Sequence, residues 1–293
     1  MTNKPLFLGV LALCVLPAAG HAQTTPTLLS ENSDTVRWLA SLAICSVLGA
    51  SLVLAIVYRT RRARIRQFAL AVTQGAASQR DAVFKLGRTL FLEKVRHNDP
   101  RPFLTKLLTP LGSSPIALLK QGGCCSGIHR LFIVSLDAIG IRAAQIGLYA
   151  LPGPVARHCL VQVALSSGPL IIDVNYGVWY RNPNGGALGI DDLRSGVTPV
   201  IEPFVDPQAG RSPGYPKIPY YAFDFPSTRT LNWTKSRTRR AMYGLLQLVT
   251  QGRVNTLLLP PICEWPEILL AAALVFGLGV ILFVAELART LQR

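Results

Sequence analysis

The sequence has little acidic charge and few histidines. Its 293 residues include 15 Asp and Glu against 30 Lys and Arg, which gives a net charge of +15, and four His. A net positive charge of this size would suit a nucleic-acid partner, but the sequence contains no RNP, zinc-finger or helix-turn-helix signature. We therefore predict that the protein does not bind nucleic acid.

The sequence also lacks the ligand spacings of a structural metal site. It has six Cys, but no Cys-x-x-Cys pair and no His/Cys set with the spacing of a zinc site. We therefore predict no metal and no cofactor. The adjacent Cys124 and Cys125 could instead form a strained vicinal disulfide.

Charge is absent from two long stretches of the chain. Residues 38–58 carry no charge, and a helix that rises about 1.5 Å per residue would cross a hydrocarbon core roughly 30 Å thick over this length. Residues 268–285 form a second uncharged run that is apolar on every face, unlike a helix at the surface of a globular core. Both runs are predicted to be transmembrane helices.

A third apolar run lies near the N-terminus and ends in small residues. Gly20-His21-Ala22 precede Gln23 and satisfy the small-x-small pattern of a signal-peptidase site. Residues 1–22 are therefore predicted to be a secretory signal peptide.

The basic residues concentrate beside the predicted spans. Five arginines follow the first span directly, at Arg59, Arg61, Arg62, Arg64 and Arg66. By the positive-inside rule, the domain between the spans is predicted to lie on the cytoplasmic side of the inner membrane. Arg289 and Arg293 follow the second span and favour the opposite orientation, but they are fewer than the arginines after the first span. Basic clusters at this position also bind anionic lipid headgroups, at about 1 kcal/mol per residue, so these headgroups are a predicted partner.

The segments between the spans predict an α+β domain. Residues 67–121 are predicted as a helical lead-in, because apolar residues recur at helical spacing in 67–95. An apolar stretch from Cys125 predicts a helix that ends at Gly140. Residues 227–262 are predicted as a basic amphipathic segment at the membrane surface. The strand-like runs are 143–151, 158–165, 170–174 and 220–225. A helix packed on an antiparallel sheet is the predicted core.

Three polar side chains stand at the ends of these predicted elements. Cys125 begins the helix, where free N–H groups and a partial positive charge lower a thiol pKa. His158 begins one strand and Asp173 ends the next. A thiol, an imidazole base and a carboxylate that fixes the base's tautomer make up a nucleophilic triad. The backbone N–H of Cys125 and, as a second donor, Gln121 are predicted to stabilise the oxyanion.

The same residues carry a resemblance to a known family. Gly123-x-Cys125, Arg130-Leu131-Phe132 and Ala138-Ile139-Gly140-Ile141, followed by His158 and Asp173 on strands, resemble the transglutaminase-like core of the papain-like superfamily. The resemblance covers about residues 122–180 and implies a core at 122–226. It also implies a cysteine-dependent peptidase or acyl transferase that acts on amide bonds of a peptide or protein.

The chain departs from the family pattern at two positions. His129 stands one helical turn after the nucleophile, where the family usually has a small residue, and could crowd the thiol or act as a second base. The aromatic residue that the family often has after the His is absent, and Cys159 and Leu160 stand there instead. An alternative function is therefore a catalytically silent module that binds or assembles in a membrane complex.

Other interpretations remain open from the sequence. Cys125-Ser126-Gly127 is also similar to the motif of NlpC/P60 cell-wall peptidases, which have Asp where Cys124 stands. A scaffold held on lipid by its basic segments is a further alternative. Aromatic residues at Tyr176, Trp179 and Tyr180 could line a substrate groove or pack inside the domain.

Overall fold

The computed structural model of the chain describes residues 28–95, 114–150, 156–205, 223–230 and 237–291. The predicted signal peptide 1–22 lies outside these residues, as do parts of the predicted lead-in, core and basic segment. The boundaries predicted for those domains stay predictions. The residues of Val57–Leu269 form one compact unit, and the flanking segments belong to another.

The first helix is longer than the uncharged run that predicts it. Helix α1 spans Leu28–Thr73, and it continues through the arginine run because no glycine or proline interrupts residues 58–73. It ends before Gly75, whose φ of +67° is left-handed. Helix α2 spans Gln79–Lys94 and begins at Ser78, whose hydroxyl accepts the Asp81 N–H at 3.1 Å. The predicted helical stretch 67–95 is therefore divided between two helices.

Among the residues that the structure describes, two helical segments are long and apolar enough to cross a membrane. They are Trp38–Thr73 within α1 and Pro266–Leu287 within the last helix, α7, which spans Pro266–Leu291. Many of their apolar side chains are exposed, as lipid-facing side chains of a span would be.

Two helices precede a six-stranded sheet. Helix α3 spans Pro115–Gln121 and α4 spans Cys125–Ala138. The strands are β1 (Ala143–Ala150), β2 (Ala156–Leu165), β3 (Gly168–Asp173), β4 (Val178–Arg181), β5 (Val200–Pro203) and β6 (Phe223–Arg229). Every pairing is antiparallel, and the order across the sheet is β5-β4-β3-β2-β1-β6. Helix α5 (Ile190–Arg194) precedes β5, and α6 (Arg237–Val249) and two 3₁₀ turns (Arg253–Asn255 and Pro261–Glu264) follow β6.

The predicted α+β class and antiparallel sheet are confirmed. Helix α4 ends at Ala138, and Gly140 has a φ of +84°, the left-handed conformation that a glycine allows at a helix end. The predicted strands at 143–151, 158–165 and 170–174 agree with β1, β2 and β3 to within two residues. β4 and β5 are not predicted, because each is four residues long and lies beside turn-rich sequence.

The two faces of the sheet carry separate cores. Helices α2 and α4 pack on one face, where Leu86, Phe132 and Val161 are fully buried. The opposite face holds a second cluster that includes Leu160 of β2 and Leu193 of α5. Side chains alternate along a strand, so Cys159 shares the helix side of β2 with Val161.

The residue before the second apolar helix belongs to the core. Trp265 is 1% exposed, and its ring meets the ring of Tyr58 edge-on at 5.2 Å between centroids. The neighbouring Glu264 accepts a hydrogen bond from Nε of Arg130 at 2.9 Å, and Glu267 pairs with Arg61. All of these contacts lie within the compact unit Val57–Leu269.

We expect Trp265→Ala to destabilise the domain by about 3–5 kcal/mol, because it removes a large buried aromatic side chain. The measurement is chemical unfolding of the full chain in detergent, followed by circular dichroism. Phe276→Ala is the control, since Phe276 is 74% exposed and its removal is expected to change stability by less than about 0.5 kcal/mol. Equal losses from the two variants would contradict this account of Trp265.

Candidate active site

The glycine-rich segment before α4 brings the N-terminus of that helix close to α3. A Cβ atom at Gly123 or at Gly127 would lie 2.9 Å from Cδ2 of Leu118, so both positions need glycine unless Leu118 moves. The Gly123 N–H also donates to the carbonyl of Lys94 at 3.0 Å. The segment is therefore held by Leu118 of α3 on one side and by the carbonyl of Lys94 on the other. Cys125 is the first residue of α4, and its side chain is partly exposed.

Asp173 is a turn residue and a partner of His158 at the same time. Its Oδ1 accepts the backbone N–H groups of Asn175 at 3.0 Å and Tyr176 at 3.2 Å, which closes a turn after β3. Its Oδ2 lies 2.6 Å from Nε2 of His158. The carboxylate is fully buried, and the His158 side chain is 5% exposed.

The structure brings the three predicted residues close to one another. His158 hydrogen-bonds with Asp173, and it is near enough to Cys125 for each side chain to shift the pKa of the other. Because Nε2 of His158 faces the carboxylate, Nδ1 is the nitrogen left for the thiol. The predicted oxyanion donors lie nearby in the chain: the Cys125 N–H is in the first helical turn, where it has no partner within the helix, and Gln121 is the exposed last residue of α3. Their roles stay predictions.

Two further side chains belong to the cluster. His129 is fully buried, and its Nδ1 lies 3.3 Å from Sγ of Cys159. Its Nε2 lies 3.3 Å from Oδ1 of Asp173, an ion-pair distance, although the N–H direction falls short of hydrogen-bond geometry. Asp173 therefore lies between two imidazole rings whose centroids are 5.9 Å apart.

Sequence reasoning named His129 only as an obstacle or a second base and did not place Cys159 in the site. A signal existed for each residue. His129 is four residues after Cys125, so the two lie on the same face of α4. Cys159 lies on the helix side of β2, the side that faces α4.

Burial and charge shift the pKa values of the His–Asp pair in opposite directions. Burial alone lowers the pKa of His158, but the charge of Asp173 and the hydrogen bonds with Asp173 and Cys125 raise it to about 9. Burial raises the pKa of Asp173, but the charge of His158 and the contacts with both histidines lower it to about 2. The pair is therefore an imidazolium and a carboxylate at neutral pH.

The sequence predicts a lowered thiol pKa for Cys125, and this prediction is wrong. A hydrogen bond with Cys124 lowers the pKa of Cys125, but the hydrogen bond with Cys159, burial and the negative charge of a Cys159 thiolate raise it. The hydrogen bond with His158 lowers it again by less, and the net result lies above the ordinary 9.0. The favourable helix N-terminus is opposed by a second cysteine that sequence spacing did not reveal.

The aromatic residues after Asp173 separate into different surroundings. The centroid of the Tyr176 ring lies 5.0 Å from the centroid of the His158 ring. The centroid of the Phe223 ring in β6 lies 6.4 Å from the same His158 centroid. Trp179 instead packs against Phe84 of α2. Tyr180 is a buried core residue. Of the three candidates for a substrate groove, Tyr176 alone contacts the predicted triad.

Within the described parts of the chain, no group of three or more His, Cys, Asp or Glu side chains is arranged to hold a metal ion. The polar cluster instead contains donors and acceptors for proton transfer: two imidazoles, one carboxylate and three thiols. It can support nucleophilic attack by sulfur, with an imidazole as the proton carrier.

No family model matches the chain, and no curated protein matches it. A solved structure of a "putative protease" from Parabacteroides distasonis matches part of it at 16% identity, with a TM-score of 0.29. The match covers 43% of this chain and 30% of that one, so it spans less than a third of the neighbour's length. A likeness this distant carries no argument about fold or activity.

We expect Cys159→Ala to lower the pKa of Cys125, because it removes the hydrogen bond and the charge that raise it. Alkylation of Cys125 by iodoacetamide near neutral pH should then become faster, by about tenfold if the pKa falls by about one unit. The rate is measured by peptide mass spectrometry on the full chain in detergent.

The matched control is Cys263→Ala, which removes a partly exposed cysteine whose pKa depends on burial and Glu264 instead of on this cluster. Unchanged alkylation of Cys125 in Cys159→Ala would show that Cys159 does not hold back the nucleophile.

Proposed function

We propose that the protein is a membrane-anchored cysteine peptidase or acyl transferase of transglutaminase-like type, which acts on amide bonds of a peptide or protein. The observation that carries the proposal is the 2.6 Å hydrogen bond between His158 and Asp173, with Cys125 near enough to the imidazole to interact with it. The thiol is partly exposed while the carboxylate is fully buried. A substrate can therefore reach the sulfur, and water is kept from the carboxylate that orients the base.

The chemistry follows from the roles of the three groups. Cys125 attacks the amide carbonyl as a thiolate and forms a thioester as the C–N bond breaks, and the His158 imidazolium gives its proton to the leaving amine. The neutral His158 then takes a proton from water or a second amine, which attacks the thioester and releases the sulfur as a thiolate, so that the reaction is hydrolysis or transfer. Asp173 orients the imidazole throughout. The Cys125 N–H, with Gln121 as a second donor, would stabilise the oxyanion.

The order of elements also supports the transglutaminase-like type. The candidate nucleophile begins a helix that packs on an antiparallel sheet, and the His and the Asp come from two successive strands, β2 and β3. An NlpC/P60-like cell-wall peptidase would use the same three residues on a substrate outside the cell. The compartment of the domain therefore separates these two versions of the proposal.

The proposal places the domain on the cytoplasmic side of the inner membrane. Its support is the arginine run at the domain end of the first apolar helix. Three of these residues, Arg59, Arg62 and Arg66, line a cavity of about 660 Å³ together with Asp137. Anionic lipid headgroups are the proposed partner of this surface, since they concentrate at that leaflet.

A second candidate function is a catalytically silent module for binding or assembly in a membrane complex. The raised thiol pKa of Cys125 and the buried His129 favour this candidate, because both differ from an activated cysteine. A test of acyl transfer to Cys125 separates the two candidates.

We expect p-nitrophenyl acetate, an activated acyl donor, to acetylate Cys125 in the full chain in detergent. The release of p-nitrophenol should begin with a burst, and peptide mass spectrometry should find the acetyl group on Cys125. His158→Gln should slow acetylation by about a hundredfold, since it removes the imidazolium that stabilises the attacking thiolate. Cys125→Ala should abolish it.

Cys263→Ala is the matched control, because it removes a thiol outside the cluster and leaves the triad intact; acetylation should persist. Acetylation of Cys125 at the rate of an exposed thiol, with no effect of His158→Gln, would favour the silent module.

A further inference from the structure

We propose that the site has a second, redox chemistry: Cys125 and Cys159 form a reversible disulfide bond, and His129 serves as the base for Cys159. The acyl-transfer mechanism uses Cys125, His158 and Asp173 and leaves Cys159 and His129 without a role. Both residues are buried, and both contact the residues of the triad.

The two thiols are close and differ in access. Cys159 lies 3.3 Å from Nδ1 of His129, one helical turn after Cys125, and it is near enough to Cys125 to raise the pKa of that thiol. Cys125 is partly exposed, whereas Cys159 is 8% exposed. An oxidant from solvent therefore reaches Cys125 first, and Cys159 is positioned behind it to close the bond. A sheltered thiol behind a partly exposed one is in the position of a resolving cysteine, which attacks the exposed sulfur once that sulfur has been oxidised.

The buried thiol has a base of its own. Nδ1 of His129 lies 3.3 Å from Sγ of Cys159, and Nε2 lies 3.3 Å from Oδ1 of Asp173. In the tautomer with its proton on Nε2, facing the carboxylate, Nδ1 is free to accept the thiol proton. Asp173 thus orients both histidines, His158 toward Cys125 and His129 toward Cys159.

The vicinal pair Cys124–Cys125 is a poorer alternative. The Cα atoms of adjacent residues are about 3.8 Å apart across a trans peptide, and disulfides usually need about 4.4–6.8 Å. Cys124 also has extended backbone angles, φ −81° and ψ −177°, at the residue before α4 begins. Closing that ring would require the start of the helix to change, whereas Cys159 approaches from a different strand.

The proposed oxidation is balanced with a hydroperoxide as the oxidant. The Cys125 sulfur loses its proton and takes the distal oxygen with its hydrogen, so the O–O bond breaks and a sulfenic acid forms, and the other peroxide oxygen takes the thiol proton and leaves as an alcohol or water. Cys159 then attacks the oxidised sulfur: its proton passes to His129, the S–S bond forms, and the hydroxyl leaves as water after it takes a proton. Two thiols are oxidised by two electrons, and the peroxide is reduced. A small dithiol reverses the reaction by exchange.

A consequence for acyl transfer rests on the proposed function. While the disulfide is present, Cys125 cannot form a thiolate and its sulfur does not attack a carbonyl, so acetylation by p-nitrophenyl acetate should stop. Reduction should restore it. The disulfide itself does not depend on the acyl chemistry, so the two proposals fail separately.

The test treats the full chain in detergent with hydrogen peroxide and maps its peptides by mass spectrometry without reduction. We expect a Cys125–Cys159 crosslink that dithiothreitol removes. In Cys159→Ser, sulfenic acid on Cys125 should accumulate, be captured by dimedone and proceed to sulfinic acid. His129→Gln should slow closure of the bond by about tenfold or more, with the capture of sulfenic acid during the first step unchanged.

Cys263→Ser is the matched control and should form the crosslink at the wild-type rate. A Cys124–Cys125 crosslink, or sulfinic acid on Cys125 at equal rates in wild type and Cys159→Ser, would overturn the proposal. The wild-type peptide map decides this point even if a variant at a buried position does not fold. A crosslink in a protein that p-nitrophenyl acetate does not acetylate would leave the redox chemistry standing and remove the peptidase.

Discussion

The carboxylate of Asp173 is the group on which the arrangement of the whole polar cluster depends. A fully buried carboxylate is costly unless its oxygens are paired and hydrogen-bonded. Here two backbone N–H groups of the following turn and two imidazoles surround it, from Asn175, Tyr176, His129 and His158. The same oxygens that stabilise the buried charge orient one ring toward Cys125 and the other toward Cys159. The stability of the fold and the proposed chemistry therefore both require the Asp173 carboxylate to be paired with these imidazoles.

This pairing also makes the stability of the domain depend on pH in a defined direction. The pKa of His158 is raised from 6.5 to about 9, so its contribution is complete below about pH 6.5 and is lost as the pH rises through about 9. The pKa of Asp173 is lowered from 3.8 to about 2, so its contribution is present above about pH 3.8 and is lost as the pH falls through about 2. The window of full stabilisation includes mildly acidic conditions, whereas deprotonation of Cys125 is favoured at alkaline pH. The alkaline pH that favours the Cys125 thiolate therefore weakens the stabilisation by the His158–Asp173 pair.

Local sequence patterns predicted much of the fold because their causes are local. The apolar period after Cys125, the left-handed Gly140 and three β-rich runs are each determined within a few residues, and they predict α4 and β1 to β3. The same patterns could not place β4 and β5, whose short strands form through pairing with neighbours. The uncharged run 38–58 does not predict that α1 continues to Thr73, because the run ends where the arginines begin, and charged residues do not end a helix.

The candidate site shows the same division between local and distant causes. Cys125, His158 and Asp173 could be named because each stands at the end of a predicted element. Cys159 could not, because its contact with Cys125 joins a strand to a helix 34 positions earlier in the chain, and it reverses the sign of the predicted thiol pKa shift. A resemblance to a family supplies the order of the triad residues. It does not supply the neighbours that adjust their charge.

The most direct test of this account is the titration of His158, followed by NMR of ring-labelled histidine in the full chain in detergent, with His158→Gln to assign the signal. The account predicts a pKa near 9 for His158, which falls to the ordinary 6.5 or below in Asp173→Asn, because burial then acts without the opposing charge. Asp191→Asn, at an exposed carboxylate on α5, should leave the titration unchanged. A wild-type pKa near 6.5, or one that Asp173→Asn does not move, would contradict the claim that this carboxylate holds the imidazolium beside Cys125.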